Sequence, residues 1–510
     1  MTRREIVLTA IVFAAFAALA AWRSSVPGLD EPHYLGKARH FWDPSWCGRD
    51  LFFNSANAHW TFYAVVGPLT RVFSLEATAW IGRIVVWAGL AWAWVRLVGR
   101  MLPGGIAPIT SACFFLALQA GGSLAGEWLV DGVESKSFAY AALFAAIAAA
   151  SRQAWREAAL AAGIAIAFHP VIGVWGLVGI LAASSPQILS ATKNPGVWRR
   201  GMAPAALCLA ASLPGAIPAL AMLASSVRGE VAQRASAIQV FERLGHHLDP
   251  LQFPLSGYVY YAALLVVWAV LSSIGERSPA ARFFSRFVLA TLGIAACGFA
   301  VGLTFRWAGL MRFYPFRLFD LFLPMAVAIE AARLIERLGA GPAAAGQSRP
   351  LWAAAGCALA ACALLWCFLA PGRIENASRW KPETWAEFVD ACGWIKQNTP
   401  ADALFLTPRF GVGFTWYAER AEYVNWKDCP QDAASILEWK RRLDVTAPWQ
   451  SPRWKKPLGA GALARLAGQT GIDYVLAWRT EPYRVEPEYQ NRVFAVYKTS
   501  KTDGAREIAK

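Results

Sequence analysis

Residues 351–370 read LWAAAGCALAACALLWCFLA, and residues 371–388, which follow directly, read PGRIENASRWKPETWAEF. The first stretch contains no Asp, Glu, Lys or Arg and is long enough for a helix to cross the roughly 30 Å hydrocarbon core of a bilayer. The second stretch has the mixed charges of a water-soluble protein. The boundary at Pro371 therefore predicts a membrane domain, residues 1–370, followed by a soluble C-terminal domain, residues 371–510.

The charge distribution supports this division. Residues 1–370 hold 28 Lys or Arg and 17 Asp or Glu, about 12% of positions, whereas residues 371–510 hold 21 and 17, about 27%. The whole chain of 510 residues is 56% hydrophobic and 16% charged, against roughly 45 to 50% and about 25% in soluble proteins. This composition excludes a cytosolic enzyme, a disordered chain and a nucleic-acid-binding protein.

Apolar runs of nearly membrane-spanning length recur throughout residues 1–370. A longer run, 158–184, is interrupted by His169-Pro170 and predicts two short spans that meet at a break, which brings the total to about eleven. Residues 58–75 are rich in aromatic side chains and broken by Gly67-Pro68, which favours an interfacial helix. The nine single runs are 5–22, 79–95, 106–125, 137–150, 202–224, 257–274, 287–304, 318–333 and 351–370.

Basic residues predict the orientation of these spans. Arg3 and Arg4 indicate a cytoplasmic N-terminus, and alternate turns then carry further basic residues on the same side. The C-terminal domain is therefore expected to be extracytoplasmic. A cleaved signal peptide ending near Ala18-Leu19-Ala20 is the alternative for the first run. The basic residues of the alternate turns are Arg96, Arg100, Arg152, Arg156, Lys193, Arg199, Arg200, Arg277, Arg282, Arg286, Arg333 and Arg337.

Polar residues form four clusters in the predicted outer loops, and the first follows the first span. It begins with Asp30-Glu31-Pro32-His33-Tyr34. A carboxylate beside apolar walls has a raised pKa and suits a general base, or it can bind a divalent cation. The alternative is a solvated loop in which Asp30 caps the helix that starts near Pro32.

The second cluster lies between the third and fourth spans. Glu127, Asp131 and Glu134 recur at helical spacing, so their side chains can share one face, and Lys136 follows them. This arrangement predicts a set of substrate-binding groups that points toward the first loop. An exposed helical turn with ordinary surface charges is the alternative.

The third and fourth clusters add histidines and arginines. His246-His247 precedes Asp249, but the spacing matches no zinc pattern, so we predict a loop that contributes one side chain to a substrate pocket. Arg306, Arg312 and Arg317 alternate with aromatic residues, which suits a lipid-linked phosphate because guanidinium groups bind phosphate bidentately. Anchoring at the membrane surface with snorkelling arginines is the alternative.

The C-terminal domain is predicted to be α/β. Helices are expected at 384–398, 433–443 and 461–468, and strands at 403–407, 472–478 and 493–498. It contains no Gly-rich phosphate loop, no G-x-S-x-G motif and no metal-ligand spacing that would mark an independent enzyme. The segments 407–409 and 416–420 are candidates for a lid over a membrane cavity or for ordinary structural loops.

This layout resembles the GT-C superfamily of integral-membrane glycosyltransferases, which includes dolichyl-phosphate-mannose-dependent mannosyltransferases and aminoarabinose transferases. The resemblance lies in the acidic dipeptide Asp30-Glu31 after the first span, a long first outer loop, about eleven spans and a final extracytoplasmic α/β domain. The segments GEW..DGVESK, ERLGHHLDP, RFYPFRLFD and WIKQNTPADALFLTP also resemble a bacterial membrane family of unknown function found in planctomycete-type genomes.

The GT-C resemblance implies a specific reaction. Asp30 or Glu31 deprotonates an acceptor hydroxyl, which attacks the anomeric carbon of a polyprenyl-phosphate sugar with inversion. The phosphate leaving group needs only charge neutralisation, for which Lys136, Arg312 and Arg317 are candidates, with a divalent cation as a further option. The family resemblance places the protein in a bacterial cytoplasmic membrane.

A second class of function stays open from the sequence. A transporter or lipid-binding scaffold would use the same four clusters to line a translocation path. That function predicts charged residues inside the spans, whereas the acidic clusters here fall in loops. The sequence therefore favours the glycosyltransferase, with the non-enzymatic membrane protein as the alternative.

Overall fold

The computed structural model describes residues 1–102, 105–191, 196–225, 229–340, 348–370, 372–450, 459–480 and 483–499. The chain is mainly α-helical, with a helical domain followed by a small domain that contains a β-sheet. Of the predicted boundary and basic residues, Pro371 and Lys193 fall outside the described residues, and so do the side chains of Arg199 and Arg200.

The described residues of the first half of the helical domain form twelve helices. The first begins with a capping box, in which Thr2 and Glu5 each accept a hydrogen bond from the other's backbone N–H. The helices are α1 (Arg3–Arg23), α2 (Glu31–Trp42), α3 (Leu51–Asn54), α4 (Trp60–Val66), α5 (Leu69–Val72), α6 (Leu75–Met101), α7 (Ala107–Gly121), α8 (Ser135–Ala150), α9 (Trp155–Phe168), α10 (Pro170–Ala183), α11 (Ser185–Ala191) and α12 (Gly196–Ser225).

In the second half, the residues that the structure describes form seven more α-helices and two short π-helical segments, Ile238–Arg243 and Val301–Phe305. Such segments widen a helix locally and are frequent at functional sites. The helices are α13 (Glu230–Ala237), α14 (Gly245–Leu248), α15 (Leu255–Ser273), α16 (Pro279–Ala300), α17 (Ala308–Met311), α18 (Arg317–Ala340) and α19 (Ser348–Leu369).

A helix lies at each predicted apolar run, and the run 158–184 is divided at His169 into α9 and α10 as expected. Among the described residues, six helices are long and apolar enough to cross a membrane, which indicates an integral membrane protein. The count of eleven spans stays a prediction, because α7, α8 and α10 are shorter apolar helices. The predicted interfacial helix at 58–75 is divided into α4 and α5, with Gly67-Pro68 between them.

Contacts among the helices place the break at His169 close to the start of α18. Helix α9 packs against α8 and α12, and α18 packs against α7, α15, α16 and α19. The break at His169 exists because Pro170 has no backbone N–H for the preceding turn, and His169 caps α10 by accepting a hydrogen bond from Ile172. The break therefore brings polar groups to the level at which α18 begins.

The C-terminal domain carries a five-stranded sheet with the order β2-β1-β3-β5-β4. Strand β1 pairs in parallel with β2 and β3, and β5 is antiparallel to β3 and β4, with Val475 opposite Tyr497. The elements are α20 (Pro382–Asn398), β1 (Leu404–Leu406), α21 (Phe414–Ala418), β2 (Ala421–Glu422), α22 (Ala433–Thr446), α23 (Ala460–Thr470), β3 (Tyr474–Trp478), β4 (Tyr489–Gln490) and β5 (Phe494–Lys498).

The predicted helices and strands of this domain are confirmed, whereas α21, β2 and β4 were not predicted. The domain docks on the helical domain through polar contacts. The backbone N–H of Glu422 donates to Asp50, and Arg49 donates to the carbonyl of Gly471 at 2.7 Å and contacts Asp473. The two domains therefore enclose the space between α2 and the loop that follows β2.

Candidate functional site

A polar chamber of about 500 Å³ lies between loops of the helical domain and the C-terminal domain. It brings together side chains from clusters one to four, and seven of the ten predicted site residues line it. These seven are Asp30, Glu127, Glu134, Lys136, His246, His247 and Arg317.

Asp30 lies at the wall of the chamber and forms an ion pair with Lys427 of the C-terminal domain. About 30% of its side chain is exposed. Burial disfavours the charged form of Asp30, but Lys427 and Lys136, with the hydrogen bond from Lys427, outweigh it and hold the pKa of Asp30 well below its usual range. Asp30 is therefore ionised, and its negative charge is neutralised by a residue 397 positions later in the chain.

Glu31 faces away from the chamber. Both of its carboxylate oxygens bind Arg83 of α6, at 2.7 and 2.8 Å, and they also accept hydrogen bonds from the backbone N–H groups of Gly28 and Val133. The side chains of Glu31 and Arg83 are only 1% and 0% exposed. With four donors on its carboxylate, Glu31 holds α2, α6 and the loop before α8 together, and it does not reach the cavity.

Lys136 and Glu134 form a second ion pair in the chamber, 3.2 Å apart. Glu134 is the residue immediately before α8, and Lys136 lies in its first turn. Burial raises the pKa of Glu134 to about 8, and the nearby negative charges of Asp30 and Asp131 act in the same direction, against the opposing charge of Lys136.

Glu127 and Arg317 form a third pair, with 2.8 Å between Oε2 and Nε. Nη1 of Arg317 also lies 3.3 Å from Nε2 of His169, and the guanidinium lies 4.0 Å from the centre of the Tyr314 ring. The loop that carries Glu127 is held by Asp320, whose carboxylate accepts hydrogen bonds from the backbone N–H groups of Leu124, Ala125 and Glu127. Helix α18 therefore positions both partners of this pair.

The two histidines of the third cluster line the same chamber. His247 hydrogen bonds through Nδ1 to the carbonyl of Ala125 at 2.6 Å, and the rings of His246 and His247 are 4.0 Å apart. Burial, together with His246, lowers the pKa of His247 to about 3, so this ring is neutral. Gly126 has φ 73° and lies so close to His247 that a Cβ there would come within 2.6 Å of the ring.

Besides Glu31, two predicted site residues, Arg306 and Arg312, lie outside the chamber. Arg306, in the left-handed conformation with φ 46°, pairs with Asp249 at 3.0 Å. Arg312 donates to Ser236 and to the carbonyl of Gln431, and it lines a different cavity.

That second cavity is an apolar groove of about 1610 Å³ between α9, α10 and α12. Leu209, Leu220 and Leu223 of α12 line it and are also strongly exposed, so the groove lies at the surface that faces lipid. At one end the groove reaches polar residues, among them His59, His169 and Arg312.

The groove and the chamber meet at a neck, defined here as the residues that line both cavities. Gln239 of the neck is 6% exposed, and its Oε1 has no hydrogen-bond partner among the described residues. A buried amide oxygen without a hydrogen-bond donor costs free energy, which points to a ligand that supplies the missing hydrogen bond. The neck consists of Tyr34, Gln239, Tyr314, Arg317 and Gln431.

Residues 425–432, called the strap here, close the chamber from the C-terminal domain. His33 of α2 contacts Asp428 at 2.8 Å, Arg243 donates to the carbonyl of Lys427 at 3.0 Å, and the backbone N–H of Ala56 donates to Asp432 at 3.2 Å. The predicted lid segments 407–409 and 416–420 do not line the chamber. The strap, which the sequence did not single out, does.

The acidic residues do not form a metal site. Among the described residues, no three His, Cys, Asp or Glu side chains lie close enough together to hold a metal ion. Three of the four acids that line the chamber have a cationic partner, namely Lys427 for Asp30, Arg317 for Glu127 and Lys136 for Glu134, and among the described residues only Asp131 of this set forms no ion pair. The residues present therefore do not fit a divalent cation, and the chemistry below uses none.

Residues 386–446 match a domain of unknown function (DUF6798). The matched stretch runs from α20 through α22 and contains the whole strap. No curated protein matches the chain.

Proposed function

We propose that the protein is a GT-C-type membrane glycosyltransferase, which transfers a sugar from a polyprenyl-phosphate donor to an acceptor hydroxyl with inversion. The observation that carries the proposal is the junction of the apolar groove with the polar chamber at Arg317. A lipid-linked phosphate needs this combination of an apolar wall for the chain and a cationic pocket for the head group. The reaction takes place on the extracytoplasmic side of a bacterial cytoplasmic membrane.

The chamber residues supply the roles that this reaction requires. Asp30 is the base, because it is the acid of the Asp30-Glu31 dipeptide that faces the cavity, whereas Glu31 is engaged by Arg83. Asp30 accepts the hydroxyl proton, the acceptor oxygen bonds to the anomeric carbon, and the bond from that carbon to the phosphate oxygen breaks. The electron pair stays on the phosphate, which Arg317 and Lys136 neutralise.

Direct binding tests the donor class. Full-length protein in lipid nanodiscs is expected to bind a polyprenyl monophosphate at least tenfold more tightly than the polyprenol that lacks phosphate. Ala205→Trp places a bulky ring in the groove and should weaken both ligands, whereas Ala206→Trp, on the same exposed helix but outside the groove lining, is the control. Equal affinities of the wild type for phosphate and alcohol would contradict the proposal.

A transfer assay separates the enzyme from the alternative. Incubation with polyprenyl-phosphate sugars and a mixture of candidate acceptors should release polyprenyl phosphate in a manner that depends on Asp30. Tight binding of the polyprenyl phosphate with no release for any sugar tested would favour the lipid-binding scaffold.

A further inference from the structure

The pair Asp30–Lys427 presents a conflict for the proposed reaction. Asp30 must accept a proton, yet its carboxylate is held by an ammonium group that stabilises the ionised form. Lys427 Nζ contacts no other acceptor among the hydrogen bonds of the described residues. The base is therefore occupied as long as nothing else in the chamber attracts Lys427.

Lys427 is placed so that it can change partners. It lines the chamber together with Lys136 and Arg317, the two cations assigned to the donor phosphate. The strap around it is anchored by other residues, through Asp428 to His33 and through the backbone carbonyl of Lys427 to Arg243. Movement of the flexible Lys427 side chain alone therefore leaves these anchors intact.

We propose that Lys427 exchanges Asp30 for the phosphate of the donor when the donor binds. The inference rests on the proposed function. The incoming phosphate brings negative charge into a chamber that already holds Lys136 and Arg317, and it offers Lys427 a stronger acceptor than one carboxylate. Asp30 then loses its ammonium partner at the moment at which the sugar arrives, and its basicity rises.

The exchange assigns a catalytic function to the C-terminal domain. The domain supplies a cation that binds the substrate, and the helical domain supplies the base, so neither part contains the complete site. It also prevents Asp30 from acting as a free base in the absence of donor.

The exchange predicts that substitutions of Lys427 and Asp30 have opposite effects on the affinity for a polyprenyl monophosphate. In nanodiscs, Lys427→Ala should weaken binding of a polyprenyl monophosphate about tenfold and leave polyprenol binding unchanged, since a charge-assisted hydrogen bond is lost. Asp30→Asn should strengthen binding of the monophosphate about threefold, because Lys427 no longer has to leave a carboxylate. Lys427→Arg should restore most of the affinity, and Lys396→Ala, at a surface ion pair with Glu419, is the matched control.

A purely structural role of the Asp30–Lys427 pair predicts different affinities for the two variants. If Asp30 and Lys427 only tied the strap down, both Asp30→Asn and Lys427→Ala would weaken binding of the two lipids alike, and this result would overturn the exchange. Unchanged monophosphate affinity in Lys427→Ala, with a wild type that still prefers the monophosphate, overturns the exchange but leaves the proposed function standing. If the wild type does not prefer the monophosphate to the polyprenol, both the exchange and the proposed function are wrong.

Discussion

Asp30 and Glu31 are neighbours in the chain, and both form ion pairs, but they lie in different regions of the molecule. Glu31 pairs with Arg83 inside the helical bundle, where both side chains are almost completely inaccessible and the carboxylate has four donors. Asp30 pairs with Lys427 at the chamber wall, where about a third of its side chain is exposed. No ligand can reach the Glu31–Arg83 pair. The Asp30–Lys427 pair faces a cavity, in which a ligand can compete with Asp30 for Lys427.

The difference shows that an ion pair does not define a role by itself. A buried pair with saturated hydrogen bonds is held by its surroundings, and removal of either partner leaves a charge that no solvent can reach. A pair at a cavity can open because water or a substrate replaces the lost partner. The predictions below test this contrast, from the largest effect to the smallest.

Removal of one member of the inner pair should have the largest effect on stability. Glu31→Gln leaves the Arg83 guanidinium buried without a counter-ion and is expected to lower the free energy of unfolding by about 3 to 5 kcal/mol. Thermal unfolding in detergent measures the loss. A double variant, Glu31→Leu with Arg83→Leu, should recover part of it because no unpaired charge remains. A loss below about 1 kcal/mol in the single variant would contradict the structural role of Glu31.

Removal of Asp30, the acid at the chamber wall, should lower the rate of sugar transfer, whereas removal of Glu31 lowers stability. Asp30→Asn is expected to reduce the rate of transfer about a hundredfold to ten-thousandfold, which is the usual contribution of a general base, with little change in thermal stability. Steady-state release of polyprenyl phosphate measures the rate. Asp43→Asn, which removes an acid at the end of the same helix α2, provides the control. Full activity of Asp30→Asn would show that the base lies elsewhere.

Glu134 should make stability depend on pH near neutrality. Its pKa in the folded state, about 8, exceeds the ordinary value of a glutamate, so folding favours the protonated form. The stabilisation is present at acidic pH and is lost as pH rises through about 8, because the ionised form is buried near the negative charges of Asp30 and Asp131, and Lys136 offsets only part of this cost. Melting temperatures from pH 6 to 9 should fall for the wild type and fall less for Glu134→Gln. Parallel curves for the two proteins would refute this assignment.

The Arg306–Asp249 pair, which lies outside the chamber, should matter least for sugar transfer. Arg306 is about 42% exposed, and its partner Asp249 keeps hydrogen bonds from Leu251 and Gln252 when the arginine is removed. Arg306→Gln removes the counter-ion of a carboxylate that is only 2% exposed, so it is expected to lower the free energy of unfolding by about 1 to 3 kcal/mol and to leave transfer unchanged. A large loss of phosphate binding in this variant would restore Arg306 to the site from which the structure separates it.

Much of the fold was predictable because its signals are local. The apolar runs and the Pro170 break gave the positions of the long helices and the division into α9 and α10, since helix formation and termination depend on neighbouring residues. The three predicted strands were found for the same reason. The two-residue strands β2 and β4 were missed because their stability comes from pairing with distant partners.

The site was predictable only in part. The four polar clusters indicated most of the chamber residues, because charged groups beside a membrane are costly unless they face water, protein or substrate. Arg83 was missed although it interrupts the apolar run 79–95, and an isolated arginine in such a run is a usable signal. Lys427 carried no such signal, since it lies in an ordinary polar loop of the C-terminal domain.

The sequence by itself determined that the chain has helices long and apolar enough to cross a membrane and, after them, a C-terminal part of helices and strands, because hydrophobicity and charge density are properties of short segments. Only the tertiary structure decided which of two adjacent acids faces a cavity, and which residue 397 positions away neutralises it. Local patterns do not contain that information. Ion pairing in the site depends on how the two domains pack, and packing joins residues without regard to their separation in the chain.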